Sequence, residues 1–128
     1  MKLLLDTHAL IWFLHTPHVL PPTVLHAIEE AGENVWVSMA SLWEIAIKVS
    51  LQKLAIPKPF EELFPDSLTN SGLILLPIEV NHFNILGRLP QHHRDPFDRL
   101  LIAQALTENL TIVTCDHAFA AYGVPILW

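Results

Sequence analysis

The chain has 128 residues, a formal net charge of −6 and a single cysteine, Cys115. Its length suits one domain over residues 1–128 with a real core, the lone cysteine excludes an internal disulfide, and the acidic balance argues against a simple nucleic-acid-binding surface. A hydrophobic content of 52% and a mean hydropathy of +0.39 point to a sheet buried on both faces, or to apolar surface covered by a partner. No apolar stretch is long enough to span a membrane. The start Met1-Lys2-Leu3-Leu4-Leu5 imitates an export signal, but Asp6 and His8 interrupt it and no small-residue cleavage site follows. Export is therefore not expected, and a cytoplasmic location is.

Strand and helix patterns alternate along the chain. Residues 2–5 read as a strand and residues 9–14 as a short helix that ends before Pro17. Residues 23–31 form a helical pattern that Gly32 can stop. A short strand over 34–38 leads into a helix over 39–51, with Ser38 as its N-cap. Residues 53–59 are a loop with two prolines, and the helical pattern over 60–69 is interrupted by Pro65. A strand at 73–76, a helix at 79–86 ending near Gly87, a helix at 96–109, a strand at 111–115, a short helical turn and a last strand at 124–128 complete the series. This βαβα order predicts a three-layer α/β/α domain with a central parallel sheet.

Ligands of such sheets bind outside the carboxyl ends of the strands. Asp6 ends the first apolar run, and Asp116 follows Thr111-Ile112-Val113-Thr114-Cys115. Asp98 stands in the first turn of a helix and Glu44 inside another. Each has a structural role in competition with a chemical one. Asp6 and Asp116 can be helix N-caps, and Asp98 fits the third position after the cap Asp95 and Pro96. Glu44 can pair with Lys48 on a solvated face. The chemical role is shared: acids from distant segments converge where a divalent cation holds them, and such a cation reverses the local effect of their charge. Thr7 and Thr114 could support the cation, its water or a phosphate oxygen, Asp95 could add an outer contact, and Arg99 could neutralise the acids or touch a phosphate. Six of the seven basic residues, Lys48, Lys53, Lys58, Arg88, Arg94 and Arg99, lie mid-chain, which leaves room for a local basic rim.

Four segments, taken in order, resemble the PIN-domain ribonucleases, in particular the VapC-like toxins of type II toxin–antitoxin pairs. They are Leu3-Leu4-Leu5-Asp6-Thr7-His8-Ala9-Leu10, Ser41-Leu42-Trp43-Glu44-Ile45-Ala46-Ile47-Lys48, Asp95-Pro96-Phe97-Asp98-Arg99-Leu100-Leu101-Ile102-Ala103-Gln104-Ala105 and Ile112-Val113-Thr114-Cys115-Asp116. The resemblance implies that Asp6, Glu44, Asp98 and Asp116 form an acidic site that uses Mg²⁺ or Mn²⁺ to cleave RNA. It also implies an antitoxin partner and a homodimer. Cys115 is expected to be a small buried residue beside Asp116.

On this reading Asp6, Asp98 and Asp116 bind the cation, while Glu44 binds it or acts as a base. The alternatives are a metal-dependent phosphatase and a non-catalytic protein-binding module. The chain lacks a Gly-rich phosphate loop and a Gly-x-Ser-x-Gly elbow. The adjacent histidines His92 and His93 are expected in a solvated loop rather than at a transition metal. Ile11-Trp12-Phe13-Leu14 and Leu42-Trp43 are candidates to line a groove for an antitoxin segment.

Overall fold

The computed structural model describes residues 1–128. Strands β1 (Leu3–Leu5), β2 (Val35–Ser38), β3 (Ile74–Leu76), β4 (Thr111–Val113) and β5 (Ile126–Leu127) form one sheet. Its order is β3-β2-β1-β4-β5, and every neighbouring pair is parallel. The sheet is covered on both faces, as the unbroken apolar strands require. Leu3, Leu5, Val35, Val37 and Val113 point to one face, where they pack with Leu10, Val24, Ile28 and Ile45. Leu4 and Ile112 point to the other and pack with Leu101, Ile102 and Ala105. The expected α/β/α layering is therefore present.

Helix α1 (Thr7–His15) begins two residues earlier than its apolar pattern, because Asp6 caps it directly after β1. Helix α2 (Pro22–Ala31) stops at Gly32, where φ is +58°, a conformation that favours glycine. Helix α3 (Met39–Ser50) starts under the Ser38 hydroxyl, which accepts from the Ala40 N–H. The single helix expected over 60–69 is two short ones, α4 (Phe60–Leu63) and α5 (Asp66–Asn70), split at Pro65. Helix α6 (Val80–Leu86) follows β3. Helix α7 (Pro96–Glu108) is capped by Asp95 and ends at Asn109 in the left-handed region. A 3₁₀ segment (His117–Tyr122) joins β4 to β5. Strand β4 stops at Val113 and β5 covers only Ile126–Leu127. Both are shorter than their apolar runs, because pairing ends where the neighbouring strand ends. No helix is long and apolar enough to cross a membrane.

A buried polar network crosses from the sheet to α7. Ser38 donates to Gln104 Oε1, and Gln104 Nε2 reaches the Pro77 carbonyl at 3.3 Å. His82, also fully buried, accepts the Glu79 N–H at 2.9 Å and meets Glu108 at 3.1 Å. These bonds tie α6 and α7 to the carboxyl end of β2.

Candidate active site

Strand β1 lies between β2 and β4, so its two neighbours carry the chain to opposite sides of the sheet. A crevice opens at such a reversal, outside the carboxyl ends of the strands. Leu5 pairs with Val113 at the last rung, so Asp6 and Thr114 leave the sheet side by side. A cleft of about 260 Å³ stands there, lined by Asp6, Thr7, His8, Glu44, Lys48, Asp95, Asp98, Cys115, Asp116 and Phe119. All four acids singled out in the sequence face it, together with Thr7 and Asp95.

Each acid is held by its own local structure. Asp6 accepts the Ala9 N–H at 2.8 Å and is also bonded by Thr114. Asp116 accepts the Ala118 N–H at 2.9 Å, and its own N–H donates to Thr114 Oγ1 at 3.0 Å. The buried Thr114 hydroxyl thus links the two acids at the strand ends. Asp95 accepts the Phe97 and Asp98 N–H groups at 2.8 and 3.1 Å; capping and cleft-lining are the same placement. That cap leaves Asp98, three residues on, free to project into the cleft.

Glu44 is buried, with only 3% of its surface exposed. Both of its oxygens are engaged, Oε1 by Thr7 at 2.6 Å and Oε2 by Lys48 Nζ at 2.6 Å. The i,i+4 pair read from the sequence exists, but it faces the crevice and not a solvated face. Thr7 contacts Glu44 directly, a role its sequence position did not indicate.

The charges oppose one another. Burial raises the Asp98 carboxyl to about 7, and the neighbouring charges of Asp95, Glu44 and Asp6 add to that rise against the influence of His93. Burial likewise raises Asp6, against the bonds from Thr114 and Ala9. Asp116 goes the other way: burial pushes it up, but the bonds from Ala118 and His93 outweigh it and hold it below the ordinary value. Lys48 is raised, chiefly by its bond to Glu44. One ammonium cannot neutralise this many carboxylates. A cluster of hard oxygen donors held together against their own repulsion fits a divalent cation; of the four acids, Asp98 and Asp116 bring donor atoms within 4.8 Å of one another, together with His93.

Three placements differ from the sequence reading. Arg99 touches neither the acids nor the cleft: its guanidinium donates to the Pro90 carbonyl at 2.9 Å, the Tyr122 hydroxyl at 3.2 Å and the Leu89 and His93 carbonyls at 3.4 Å. It fastens the loop before α7, because five donors in a fixed fork suit clustered carbonyls. Cys115 is exposed and lines the cleft rather than being buried, since β4 ends before it; partial desolvation against the cleft wall and the Asp6 charge raise its thiol. His93, expected in a solvated loop, reaches Asp116 at 3.1 Å and Asp98 at 3.2 Å with only 16% of its side chain exposed. Its only sequence signal is its place two residues before the Asp95 cap, and nothing local to that position tells which way the ring turns.

A second depression, about 410 Å³ and almost wholly apolar, is lined by residues including Met39, Leu42, Trp43, Phe60, Phe64 and Leu75. Trp43 is 56% exposed there and packs edge-on against Phe97 at 4.9 Å. Ile11, Trp12, Phe13 and Leu14 do not line it; they lie half-buried against the core.

A family profile described as PIN domain matches residues 3–125. No curated protein matches the chain. Among solved structures, FitAcB from Neisseria gonorrhoeae is 23% identical with a TM-score of 0.71, covering 99% of this chain and 97% of that one. VapBC2 from Rickettsia felis, bound to a promoter DNA fragment, is 20% identical with a TM-score of 0.73, covering 100% and 99%. DNA-bound VapBC from Salmonella typhimurium is 17% identical with a TM-score of 0.74, covering 99% and 97%. At these identities the three likenesses concern the fold.

Proposed function

The chain belongs to the PIN-domain family, and from that premise we propose that it is a metal-dependent endoribonuclease acting as the toxin of a toxin–antitoxin pair. The observation that carries the reading is the gathering of Asp6, Glu44, Asp98 and Asp116, from four separate segments, around one polar cleft at the reversal of the sheet. The capping roles of Asp6, Asp95 and Asp116 account for those three acids as parts of a mere binding module. They leave the burial of Glu44 and the raised carboxyl of Asp98 without a reason.

Asp6, Asp98 and Asp116 would hold the cation, and the hardness of the oxygen donors suits Mg²⁺ or Mn²⁺. When bound, it supplies positive charge at the scissile phosphodiester and acidifies water. Thr114 ties the Asp6 carboxylate to the backbone of Asp116. Thr7 and Lys48 each bond one oxygen of Glu44, so its carboxylate is oriented before substrate arrives. Lys48 offers the cleft's own positive charge to a phosphate oxygen. Glu44 would bind the cation or take the proton of the attacking water, while the scissile P–O bond breaks and the leaving oxygen takes a proton from solvent. The same machinery would serve a phosphatase, and the resemblance to PIN-domain ribonucleases favours RNA.

The partner proposal rests on the apolar depression beside α3. An antitoxin segment would lay apolar side chains over Leu42 and Trp43 and extend a basic residue to the acidic cleft. A homodimer in the cytoplasm completes the reading.

Cleavage of a mixed RNA pool with Mg²⁺ or Mn²⁺, then with chelator, tests the function. Wild type is compared with Asp6→Asn and Asp98→Asn, each confirmed folded. Metal-dependent cleavage that disappears in both variants is expected. Equal cleavage by all three proteins, or a folded wild type that cleaves only phosphomonoesters, overturns it.

A further inference from the structure

We propose that His93 is a positioning residue of the acidic cleft, whose ring N–H bridges Asp98 and Asp116, and that it is not a ligand of the cation. This rests on the cleft being a metal-dependent nuclease site and adds His93 to its residues. His93 Nε2 lies 3.1 Å from Asp116 Oδ2 and 3.2 Å from Asp98 Oδ2. The donor atoms of these three residues lie within 4.8 Å of one another, close enough for a His–Asp–Asp metal site.

The other ring nitrogen decides against ligation. His93 Nδ1 sits 3.1 Å from the Asp95 backbone N–H, which donates to it. A backbone N–H cannot surrender its hydrogen, so Nδ1 has to present a lone pair. With Nδ1 accepting, the ring hydrogen sits on Nε2, and Nε2 faces the carboxylates as a donor. Ligation through Nε2 would need the hydrogen on Nδ1, where it would confront the Asp95 N–H. Metal-binding histidines have the reverse arrangement, donating from the second nitrogen to a carboxylate or carbonyl.

The ring is seated firmly enough for this difference to matter. It packs edge-on against Phe119, with centroids 5.7 Å apart at 84°. The His93 N–H donates to the Tyr122 hydroxyl at 2.7 Å, and Arg99 grips the same loop through the Leu89, Pro90 and His93 carbonyls. Asp95 thus does two things: its carboxylate caps α7 and its N–H sets the tautomer of His93. The ring joins an acid on α7 to an acid beyond β4.

The experiment is a long-range ¹H–¹⁵N correlation of the histidine rings of the whole chain, without metal and then with Mg²⁺, with His93→Gln identifying the signal. Expected is hydrogen on Nε2 and a lone pair on Nδ1 in both conditions. A hydrogen on Nδ1, or an Nε2 signal moved to that of a ligating nitrogen by Mg²⁺, overturns the proposal. Calorimetric titration of Mg²⁺ into His93→Ala should show affinity about 10- to 100-fold weaker than wild type, with partial recovery in His93→Gln. Unchanged affinity in a folded His93→Ala also overturns it. Should His93→Ala fail to fold, the wild-type tautomer decides alone. Absence of RNA cleavage would count against the nuclease reading, while the tautomer and Mg²⁺ affinity are read without turnover.

Discussion

Replacing Asp98 by asparagine is expected to stabilise the chelated protein near pH 8 while abolishing cleavage. Burial, then the charge of Asp95, lifts this carboxyl from 3.8 to about 7 in the folded chain. Holding it ionised at alkaline pH therefore costs up to about 4 kcal/mol. The side chain is 22% exposed and the cleft admits water, so we expect Asp98→Asn to recover about 1–2 kcal/mol. The sign follows from linkage. Below 3.8 the group is protonated in folded and unfolded chains alike, and it costs nothing. As pH rises past 3.8 the unfolded chain ionises first and the folded state loses ground, until the folded group ionises too at about 7. The advantage of the variant is thus small near pH 4 and full near pH 8. Urea unfolding of both proteins with chelator at the two pH values measures it. An advantage that is absent near pH 8, or equal at both, would refute the claim that Asp98 is held against its own charge. Added Mg²⁺ should reverse the order by stabilising only the wild type appreciably.

Other substitutions test other parts of the structure. Lys48→Met leaves Glu44 buried without its ammonium and should cost about 1–2 kcal/mol in urea unfolding, the low end for a broken pair because Lys48 is 38% exposed. Because the Lys48 group is raised, its contribution persists through neutral pH and fades only in strong alkali, so the loss should be the same at pH 6 and pH 8. Gln104→Ala removes the buried partner of Ser38 and should lower stability by about 2–4 kcal/mol, read as a fall in Tm. Trp43→Ala should weaken the complex with the cognate antitoxin at least tenfold by calorimetry if the groove beside α3 receives it; equal affinity would place the antitoxin elsewhere.

The apolar runs at 2–5, 34–38, 73–76 and 111–115, each closed by turn or cap residues, were enough to predict a parallel sheet covered on both faces. So were the caps: Asp6, Ser38, Asp95 and Asp116 lie where local hydrogen bonding puts them. Strand ends and helix starts place Asp6, Asp98 and Asp116 at the rim of the sheet, but each position also suits a helix cap or first turn, so it was the resemblance to PIN-domain ribonucleases that grouped them with Glu44 as one site. Whether four acids share one cleft depends on the strand order β3-β2-β1-β4-β5, and no local pattern encodes that order. The same holds for the three misplaced side chains. Arg99, one residue from Asp98, turns to the Tyr122 hydroxyl, 23 residues away, and to carbonyls of the loop before α7; Cys115 stays exposed because β4 ends early; His93 swings onto Asp116, which lies 23 residues away. Local sequence determines the elements, since propensity, capping and apolar period act over a few residues. Tertiary structure decides which way a long or loop-borne side chain points, since that choice is made among partners brought together only by folding.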